Sequence, residues 1–289
     1  SYLKKMKRLL SIELQKIWQN RSSKILTIIY FLSLTLLATI ALVEFEFGPF
    51  KFKAAESGFF NFPYIWHFTT YVASWLKIFL AVIIVSMIAN EYSYGTLKQN
   101  LIDGMSKKEF LLSKIYTIIL FSFVSTILVF IISLILGLKY SSFTEVGIIF
   151  SDLEYLFAYF LKHVAFFSFC LFLALLIKRS AFTLGFIFVW FIGENVGHAI
   201  LKYKILGYKQ GDKDTVVIDW VKDALPLESM SNLIVEPFSR LSFIKSITTT
   251  VGANFKNNYE VQPINVAIVI FWTTLFLFLS FYILKKRDL

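Results

Sequence analysis

The sequence predicts an all-α membrane protein that crosses the bilayer several times. Of its 289 residues, 57% are hydrophobic and only 17% are charged, whereas soluble domains average about 45–50% apolar and about 25% charged residues. The apolar residues also occur in long runs, and a helix needs about 20 of them to cross a hydrocarbon core. Disorder and a disulfide-stabilised scaffold are both excluded, because the apolar content is high and Cys170 is the only cysteine.

Six apolar runs are long enough to form transmembrane helices. They are Ile25–Val43, Thr69–Ile88, Ile115–Leu138, Leu156–Ile177, Ala181–Ile200 and Val266–Leu284. Transmembrane β-strands would instead show about ten residues of strict alternation. We therefore predict six spans in a single domain that covers residues 1–289. Its parts are an N-terminal segment (1–23), the first five spans (24–200), an outer segment (201–265), and the last span with a basic tail (266–289).

The distribution of basic residues predicts that both termini lie in the cytoplasm. With the N-terminus inside, the inner segments hold 16 basic and 5 acidic residues, a net charge of +11. The outer segments hold 11 basic and 13 acidic residues, a net charge of −2. Cytoplasmic loops are enriched in Lys and Arg, so this asymmetry indicates the orientation. The overall charge of +10 then reflects topology, and we expect no nucleic-acid partner.

Two segments outside the spans are predicted to be helical. The N-terminal segment has apolar residues at helical spacing among lysines and arginines, which is typical of a helix lying in the membrane interface. Its predicted apolar face comprises Leu3, Met6, Leu10, Leu14 and Ile17, with Trp18 as an interfacial anchor. Packing against another protein is the alternative for this helix. The outer segment is too interrupted to span and is predicted to form a small helical cap between the fifth and sixth spans.

The loop between the second and third predicted spans, residues 90–114, carries the most distinctive pattern. Ser106, followed three residues later by Glu109, predicts a capping box at the start of a helix. Gly104, just before it, predicts the end of a preceding short helix. The loop is therefore predicted to form two helices joined by a turn beneath the membrane. Leu97 and Leu101 would lie on one face of the first helix.

This loop resembles that of the permeases of the type-2 ATP-binding cassette (ABC) transporter family. The family pattern begins with Glu at the end of the second span, continues with Gly-Thr-Leu and Ser-Arg, and ends with a Lys that enters the third span. The matching residues are Glu91, Gly95, Thr96, Leu97, Ser106, Lys107 and Lys114. Lys107 stands where Arg is commoner. The order of the elements also agrees, from the interfacial helix to the outer helical segment between the last two spans.

The resemblance implies a transporter subunit, most often an exporter, in the bacterial cytoplasmic (inner) membrane. Such permeases dimerise with a second copy or a paralogue and sit on separate cytoplasmic ATPase subunits, which bind ATP and Mg. The motif residues and Leu101 would couple this chain to the ATPase. The sequence has no G-x-x-x-x-G-K-[ST] phosphate loop. We therefore expect no cofactor on this chain and no enzymatic activity of its own.

Five ionisable residues within the predicted spans support a second hypothesis. They are Lys77, Lys162, His163, Glu194 and His198. A charged group in hydrocarbon costs at least about 2.5–3.5 kcal/mol on insertion scales, so each needs a reason. Their distances along the helices place them at similar depths, which predicts an intramembrane polar layer with a Lys77–Glu194 ion pair. The layer could line a substrate path, relay protons or only fix helix packing.

The polar layer also favours an alternative function, an ATP-independent channel or ion-coupled secondary transporter. Against this alternative, the sequence shows no inverted repeat and no pair of broken helices. A membrane-embedded enzyme is the third class, but no nucleophile and base stand in a catalytic arrangement. Glu194 and His198 are too few to hold a metal, so neither a catalytic nor a metal site is predicted. The substrate cannot be read from the sequence.

Small residues in the fifth predicted span indicate a close helix contact. Gly193 and Gly197 lie four residues apart, and Gly185 lies two turns earlier. This spacing permits two helix backbones to approach closely. The contact would be either a homodimer interface or a packing interface within the chain.

Overall fold

A computed structural model describes residues 2–47, 50–53, 58–205, 213–240 and 258–286. Helices dominate these residues, as predicted. They are α1 (Tyr2–Gln19), α2 (Arg21–Leu36), α3 (Tyr64–Ser74), α4 (Lys77–Ser93), α5 (Thr96–Ile102), α6 (Lys107–Tyr140), α7 (Val146–Ile149), α8 (Glu154–Ile177), α9 (Ser180–Ala199), α10 (Lys213–Asp223), α11 (Pro226–Ser231) and α12 (Pro263–Lys286). Short 3-10 segments follow α2 at Leu37–Leu42 and α11 at Phe238–Arg240, and a π-helical segment, Ile200–Ile205, follows α9.

Five helical segments of the described chain are long and apolar enough to cross a membrane. They are Arg21–Ile40, Lys107–Tyr140, Val146–Ile177, Ser180–Ala199 and Pro263–Lys286. A sixth is present if α3 and α4, which are bent by 43° at their junction, together form one span. The predicted second span is therefore a broken helix. Thr69, Thr70 and Ser74 each donate a hydrogen bond to a carbonyl of the preceding turn, and such bonds favour bending.

A short β-hairpin is an exception to the all-α prediction. β1 (Glu44–Phe47) and β2 (Phe50–Lys53) pair antiparallel, with Glu44 opposite Lys53 and Glu46 opposite Lys51. Phe alternates with charged residues along both strands, which is the period of two that a strand requires.

Helix α8 lies at the centre of the bundle. It packs against α3, α4, α6, α9, α11 and α12, and most of its side chains are buried. Aromatic contacts connect it to its neighbours: the ring of Phe169 lies 5.6 Å from that of Trp190 in α9 and 5.0 Å from that of Phe276 in α12. A fully buried helix has to be apolar all round, which explains why α8 has no amphipathic pattern.

The bundle has two ends, each defined here by its helices and by one contact. At one end, called here the α1 end, α1 and α5 lie beside the first turn of α6 and the last turn of α12. Lys107 Nζ lies 3.5 Å from the carbonyl oxygen of Lys285 there. At the opposite end, called here the α3 end, the backbone N–H of Phe62 donates to Ser141 Oγ at 3.0 Å, which ties the start of α3 to the end of α6.

Helix α1 confirms the predicted N-terminal helix, but the face that it buries only partly coincides with the predicted apolar face. Leu9, Glu13 and Ile17 are buried, and their spacing of four residues places them on one stripe. Leu14, from the predicted apolar face, and Trp18 are exposed instead. The helix therefore packs on its own bundle through one face and leaves a second, apolar face uncovered by the described chain.

The described part of the segment between α9 and α12 packs against α8, α9 and α12. The indole N–H of Trp272 donates to the carbonyl of Ala224 at 2.8 Å. Trp272 lies nine residues into α12, which is about 14 Å along the helix at about 1.5 Å per residue. Met230 and Leu233 are buried. Residues 206–212 and 241–257 of the predicted cap lie outside the described residues, so the cap as a whole stays a prediction.

The contact between Gly137 and Phe62 provides a test of the packing. A Cβ atom added at Gly137 would lie 2.6 Å from Cε2 of the buried Phe62 ring and closer still to Cζ. We expect Gly137→Ala to lower the free energy of unfolding by about 1–3 kcal/mol, although alanine is the better helix former by about 1 kcal/mol. Thermal unfolding in detergent measures the change.

Gly147→Ala in α7 is the matched control for this variant. No atom lies within 4 Å of a Cβ added there, so only helix propensity changes. We expect this control to unfold at the parent temperature or above it. A Gly137→Ala protein as stable as the control would contradict the close contact with Phe62.

Candidate functional site

Four charged residues form a buried network at the α1 end. Lys114 Nζ lies 2.6 Å from Glu13 Oε2 and 3.0 Å from Glu91 Oε1. Lys16 Nζ lies 2.7 Å from Glu91 Oε1 and 3.5 Å from Glu13 Oε1. The side chains of Lys114, Glu13 and Glu91 are 0%, 1% and 3% exposed. Two ammonium groups balance two carboxylates, so the network is neutral and joins α1, α4 and α6.

Neutral donors complete the hydrogen bonding of both carboxylates. Ser113 Oγ donates to Glu13 Oε1 at 3.1 Å, and Thr96 Oγ1 donates to Glu91 Oε2 at 2.7 Å. Each of the four carboxylate oxygens therefore has at least one donor. Buried ion pairs are stable only when their remaining hydrogen bonds are satisfied, and this network meets that condition.

The charge of Lys16 is held by its acidic neighbours. Burial lowers the pKa of Lys16, but Glu13 and Glu91 raise it by more, so it lies above its usual value of 10.5. A raised lysine pKa contributes stability that is fully present below the unfolded value and lost as the pH rises through the folded value. The contribution of Lys16 to the network is therefore complete below pH 10.5 and is lost only above it.

Several of the predicted coupling residues are buried, and other residues of the loop are exposed. Glu91, Thr96 and Lys114 meet in the network, and Leu97 is only 2% exposed. The exposed surface of the loop instead carries Ile102 (76% exposed) and, just before α5, Tyr94 (75%). Leu101 is partly buried and packs against the core. Glu91, Thr96, Leu97 and Lys114 therefore anchor the loop, while neighbouring residues form its accessible face.

Backbone geometry fixes both ends of α5. Gly95 and Gly104 have φ angles of 67° and 96°, a region that side chains disfavour, and they flank the helix. The predicted capping box is confirmed: the Glu109 N–H donates to Ser106 Oγ at 3.1 Å, and the Ser106 N–H donates to Glu109 Oε2 at 2.8 Å. Short turns at both ends make α5 a well-defined element whose position follows that of α4 and α6.

A pocket of about 210 Å³ opens beside the network. Its walls come from the end of α1, the start of α2, the end of α4 and the start of α5. Polar side chains line much of it, including Gln19, Asn20 and Asn90, together with the ring of Tyr94. The pocket could receive a side chain from a partner that docks at the α1 end.

The five predicted intramembrane residues do not contact one another as one group. Glu194 Oε1 accepts from the Trp190 indole N–H at 2.6 Å and from the Leu227 N–H at 3.2 Å, and Oε2 accepts from the Glu228 N–H at 3.0 Å. The carboxylate thus caps the first turn of α11, where backbone N–H groups lack helical partners. The predicted Lys77–Glu194 pair is wrong, because Lys77 lies instead over the ring of Phe166 at 4.6 Å.

The other three residues of the predicted polar layer, Lys162, His163 and His198, belong to two separate groups. His198 Nε2 lies 2.9 Å from Asp219 Oδ1 in α10, so it belongs with Glu194 and the inserted segment. Lys162 and His163 are buried in α8, and both interact electrostatically with Lys77. The structure therefore contains a basic group of Lys77, Lys162 and His163, and a separate group that holds α10 and α11.

Sequence reasoning missed the contribution of Glu13. This residue is the only acidic one before Glu44, and it lies on the helical stripe between Leu9 and Ile17. A lone carboxylate on an otherwise apolar stripe indicates a buried partner, which turns out to be Lys114. A second missed residue is His67, which stacks on Tyr155 at 4.3 Å and bonds through Nε2 to the Val235 carbonyl at 2.8 Å.

Comparison with known proteins assigns a family. One family model, described as "Protein of unknown function (DUF2705)", matches residues 49–208, which is more than half of the chain. The chain belongs to this family. No curated protein matches the sequence. Among the residues that the structure describes, no group of three or more His, Cys, Asp or Glu side chains could hold a metal ion.

The network predicts a strong effect of removing one charge. Lys114→Met leaves the buried Glu13 and Glu91 carboxylates without their shared cation, and breaking such a pair costs about 3–5 kcal/mol. Lys108→Met is the matched control, since Lys108 is exposed six residues earlier in α6 and we expect a change within about 0.5 kcal/mol. Chemical or thermal unfolding in detergent compares them. Equal stability of the two variants would contradict the network.

The capping role of Glu194 predicts a local effect. Glu194→Ala leaves three N–H donors without their acceptor, of which that of Leu227 is buried, whereas Glu194→Gln keeps one acceptor oxygen. We expect hydrogen exchange at Pro226–Ser231 to rise about tenfold or more in the alanine variant, since an unpaired buried donor costs about 1–3 kcal/mol. The glutamine variant should lie between it and the parent. Hydrogen exchange in the alanine variant equal to that of the parent would contradict the capping role of Glu194.

Proposed function

We propose that this chain is the membrane permease of an ATP-driven exporter of the type-2 ABC family, coupled through residues 90–114 to a separate cytoplasmic ATPase. The observation that carries the proposal is that this loop combines buried anchoring residues with exposed apolar residues. Glu91, Leu97 and Lys114 are buried anchors, while Tyr94 and Ile102 are exposed residues of the same loop. Exposed apolar residues on a rigidly held element are typical of a protein docking surface.

The proposed topology has six spans with both termini in the cytoplasm. In it, α3 and α4 form one bent span, which brings the number of spans from five to six. The α1 end is the cytoplasmic end, which agrees with the net charge of +11 on the inner segments. The exposed face of α1, with Leu14 and Trp18, then lies against the lipid interface.

The charged network supplies a route for mechanical coupling. ATP-driven closure of two ATPase subunits moves whatever is docked on them, and conformational steps of this kind drive many transport and enzyme cycles. A displacement of α5 would be passed to α4 and α6 through Glu91 and Lys114, and to α1 through Glu13. These helices would then move together because the network is buried and fully hydrogen-bonded.

The proposed assembly is a dimer in which α9 contributes to the contact between permeases. A Cβ atom added at Gly185, Gly193 or Gly197 would meet no atom of the described chain within 4 Å. No described residue of this chain packs on these glycines, which supports the dimer interface over the internal contact. Their open face permits a close approach of a second helix, from another copy or a paralogue.

An ATP-independent channel or secondary transporter is the second candidate. The broken span at Lys77 favours it, because broken helices are typical of secondary transporters. Glu194 and His198, which were expected to share its ion pathway, bond instead to α11 and α10. This candidate would not need a partner at α5, so the two are separable by experiment.

Affinity purification from native membranes in mild detergent tests the proposal. We expect an ATPase with a G-x-x-x-x-G-K-[ST] loop to co-purify at about one subunit per permease. Ile102→Asp, combined with Tyr94→Asp, should remove it, since a charge in a docked apolar contact is strongly unfavourable. Mass spectrometry of the purified complex gives the stoichiometry.

Val146→Asp is the matched control, because Val146 is similarly exposed (71%) but lies in α7, away from α5. The control should retain the ATPase. Retention by both variants would place docking elsewhere on the α1 end. Absence of any ATPase from the parent preparation, under several mild conditions, would favour the ATP-independent candidate.

A further inference from the structure

Among the residues that the structure describes, the basic group at the break between α3 and α4 has no acidic partner. Lys162 is 4% exposed and His163 is fully buried. Among the described residues, no acidic side chain pairs with Lys77 or Lys162. Unpaired charges inside hydrocarbon are costly, and such residues usually mark functional sites. A compensating group that is not part of the described chain is therefore expected here.

The packing of α4 against α8 places Lys77 near Lys162 and His163. Lys77 Nζ lies 4.6 Å from the centroid of the Phe166 ring, and Phe166 follows Lys162 by four residues, or about one helical turn. Electrostatic interactions connect Lys77 with Lys162 and with His163. Lys77 and Lys162 thus lie on the two helices of the packed pair α4 and α8, within electrostatic range of each other.

The break in the helix adds a third favourable element for an anion. Lys77 is the first residue of α4, a helix of 17 residues, and no side chain caps its N-terminus. The N-terminus of a helix carries partial positive charge and unpaired N–H groups. Half-helix N-termini within broken spans are used in membrane proteins to bind anionic groups.

His163 supplies an acceptor beside the lysines. Its Nδ1 lies 2.8 Å from the Tyr159 carbonyl, which can only accept, so Nδ1 carries the proton. Nε2 is buried and has no hydrogen-bond partner. The neutral ring therefore offers a free acceptor, which suits a hydroxyl group next to the anionic group.

The surroundings indicate how such a group arrives. Trp75 and Ile78, which flank Lys77 at the bend, are 66% and 60% exposed, so this part of the bundle surface is apolar. Lys77 lies 14 residues before Glu91, or about 21 Å along α4 at about 1.5 Å per residue. A ligand would enter sideways from the hydrocarbon, which requires an apolar body behind its acidic group.

We propose that Lys77, Lys162 and the N-terminus of α4 bind the acidic group of an amphipathic anion that enters from the bilayer, with His163 accepting from a neighbouring hydroxyl. An anionic phospholipid and a non-lipid amphiphile share this chemistry. The proposal does not rest on coupling to an ATPase, because none of these residues lies in the loop of residues 90–114.

Thermal unfolding in nanodiscs tests the site. The purified chain is placed in phosphatidylcholine alone, in phosphatidylcholine with phosphatidylglycerol, and in phosphatidylcholine with decanoate in the buffer. A ligand that binds only the folded state raises the unfolding temperature, here by at least about 2 °C. A shift with phosphatidylglycerol alone identifies a lipid, a shift with decanoate alone identifies a non-lipid amphiphile, and a shift with both identifies the acidic group as the determinant. No shift with either overturns the proposal.

Variants separate binding from structure. Lys77→Met combined with Lys162→Met should abolish the shift while leaving the unfolding temperature in phosphatidylcholine unchanged or higher, because two unpaired buried charges are removed. Lys139→Met is the matched control, since Lys139 also lies over an aromatic ring, at 5.1 Å from Tyr140. It should keep the parent shift. An equal shift in the double variant would show non-specific binding and overturn the proposal. If the double variant does not fold, the single Lys77→Met variant, which should lower the shift by half or more, takes its place.

Discussion

The contact between Lys114 and two glutamates organises the α1 end of the bundle. Lys114 is fully buried, and its ammonium group is shared by Glu13 of α1 and Glu91 of α4. A lone lysine at this position would be strongly unfavourable, so α1 and α4 must both be in place for α6 to pack. The position of α5 depends in turn on Glu91, because Thr96 at its start bonds to the same carboxylate.

This arrangement explains how a loop can be both precisely held and open to a partner. Glycines in the left-handed region at either end allow sharp turns, and the capping box fixes where α6 begins. The side chains that determine the position are buried, so they are not free to contact another protein. The residues left for such a contact, Tyr94 and Ile102, are not part of the motif that drew attention to the loop.

At the opposite end, polar groups serve the insertion of α10 and α11. Glu194 satisfies backbone N–H groups at the start of α11, and Trp272 donates to the carbonyl of Ala224. A short segment can lie among apolar helices only if its backbone groups find partners. The buried carboxylate is therefore explained without a lysine partner, and within the described part of the chain Lys77 and Lys162 have no acidic partner.

The sequence by itself determined the helical class, the positions of the long apolar helices and the capping box at Ser106, because these depend on local composition and spacing. It also singled out Glu91 and Lys114. Only the tertiary structure decided that Glu13 completes their network, that α1 buries the stripe of Leu9 and Ile17, and that Glu194 faces α11 instead of Lys77. These outcomes depend on which helices become neighbours and on their rotation. Residue spacing along a single helix specifies its faces but not the partner that each face meets.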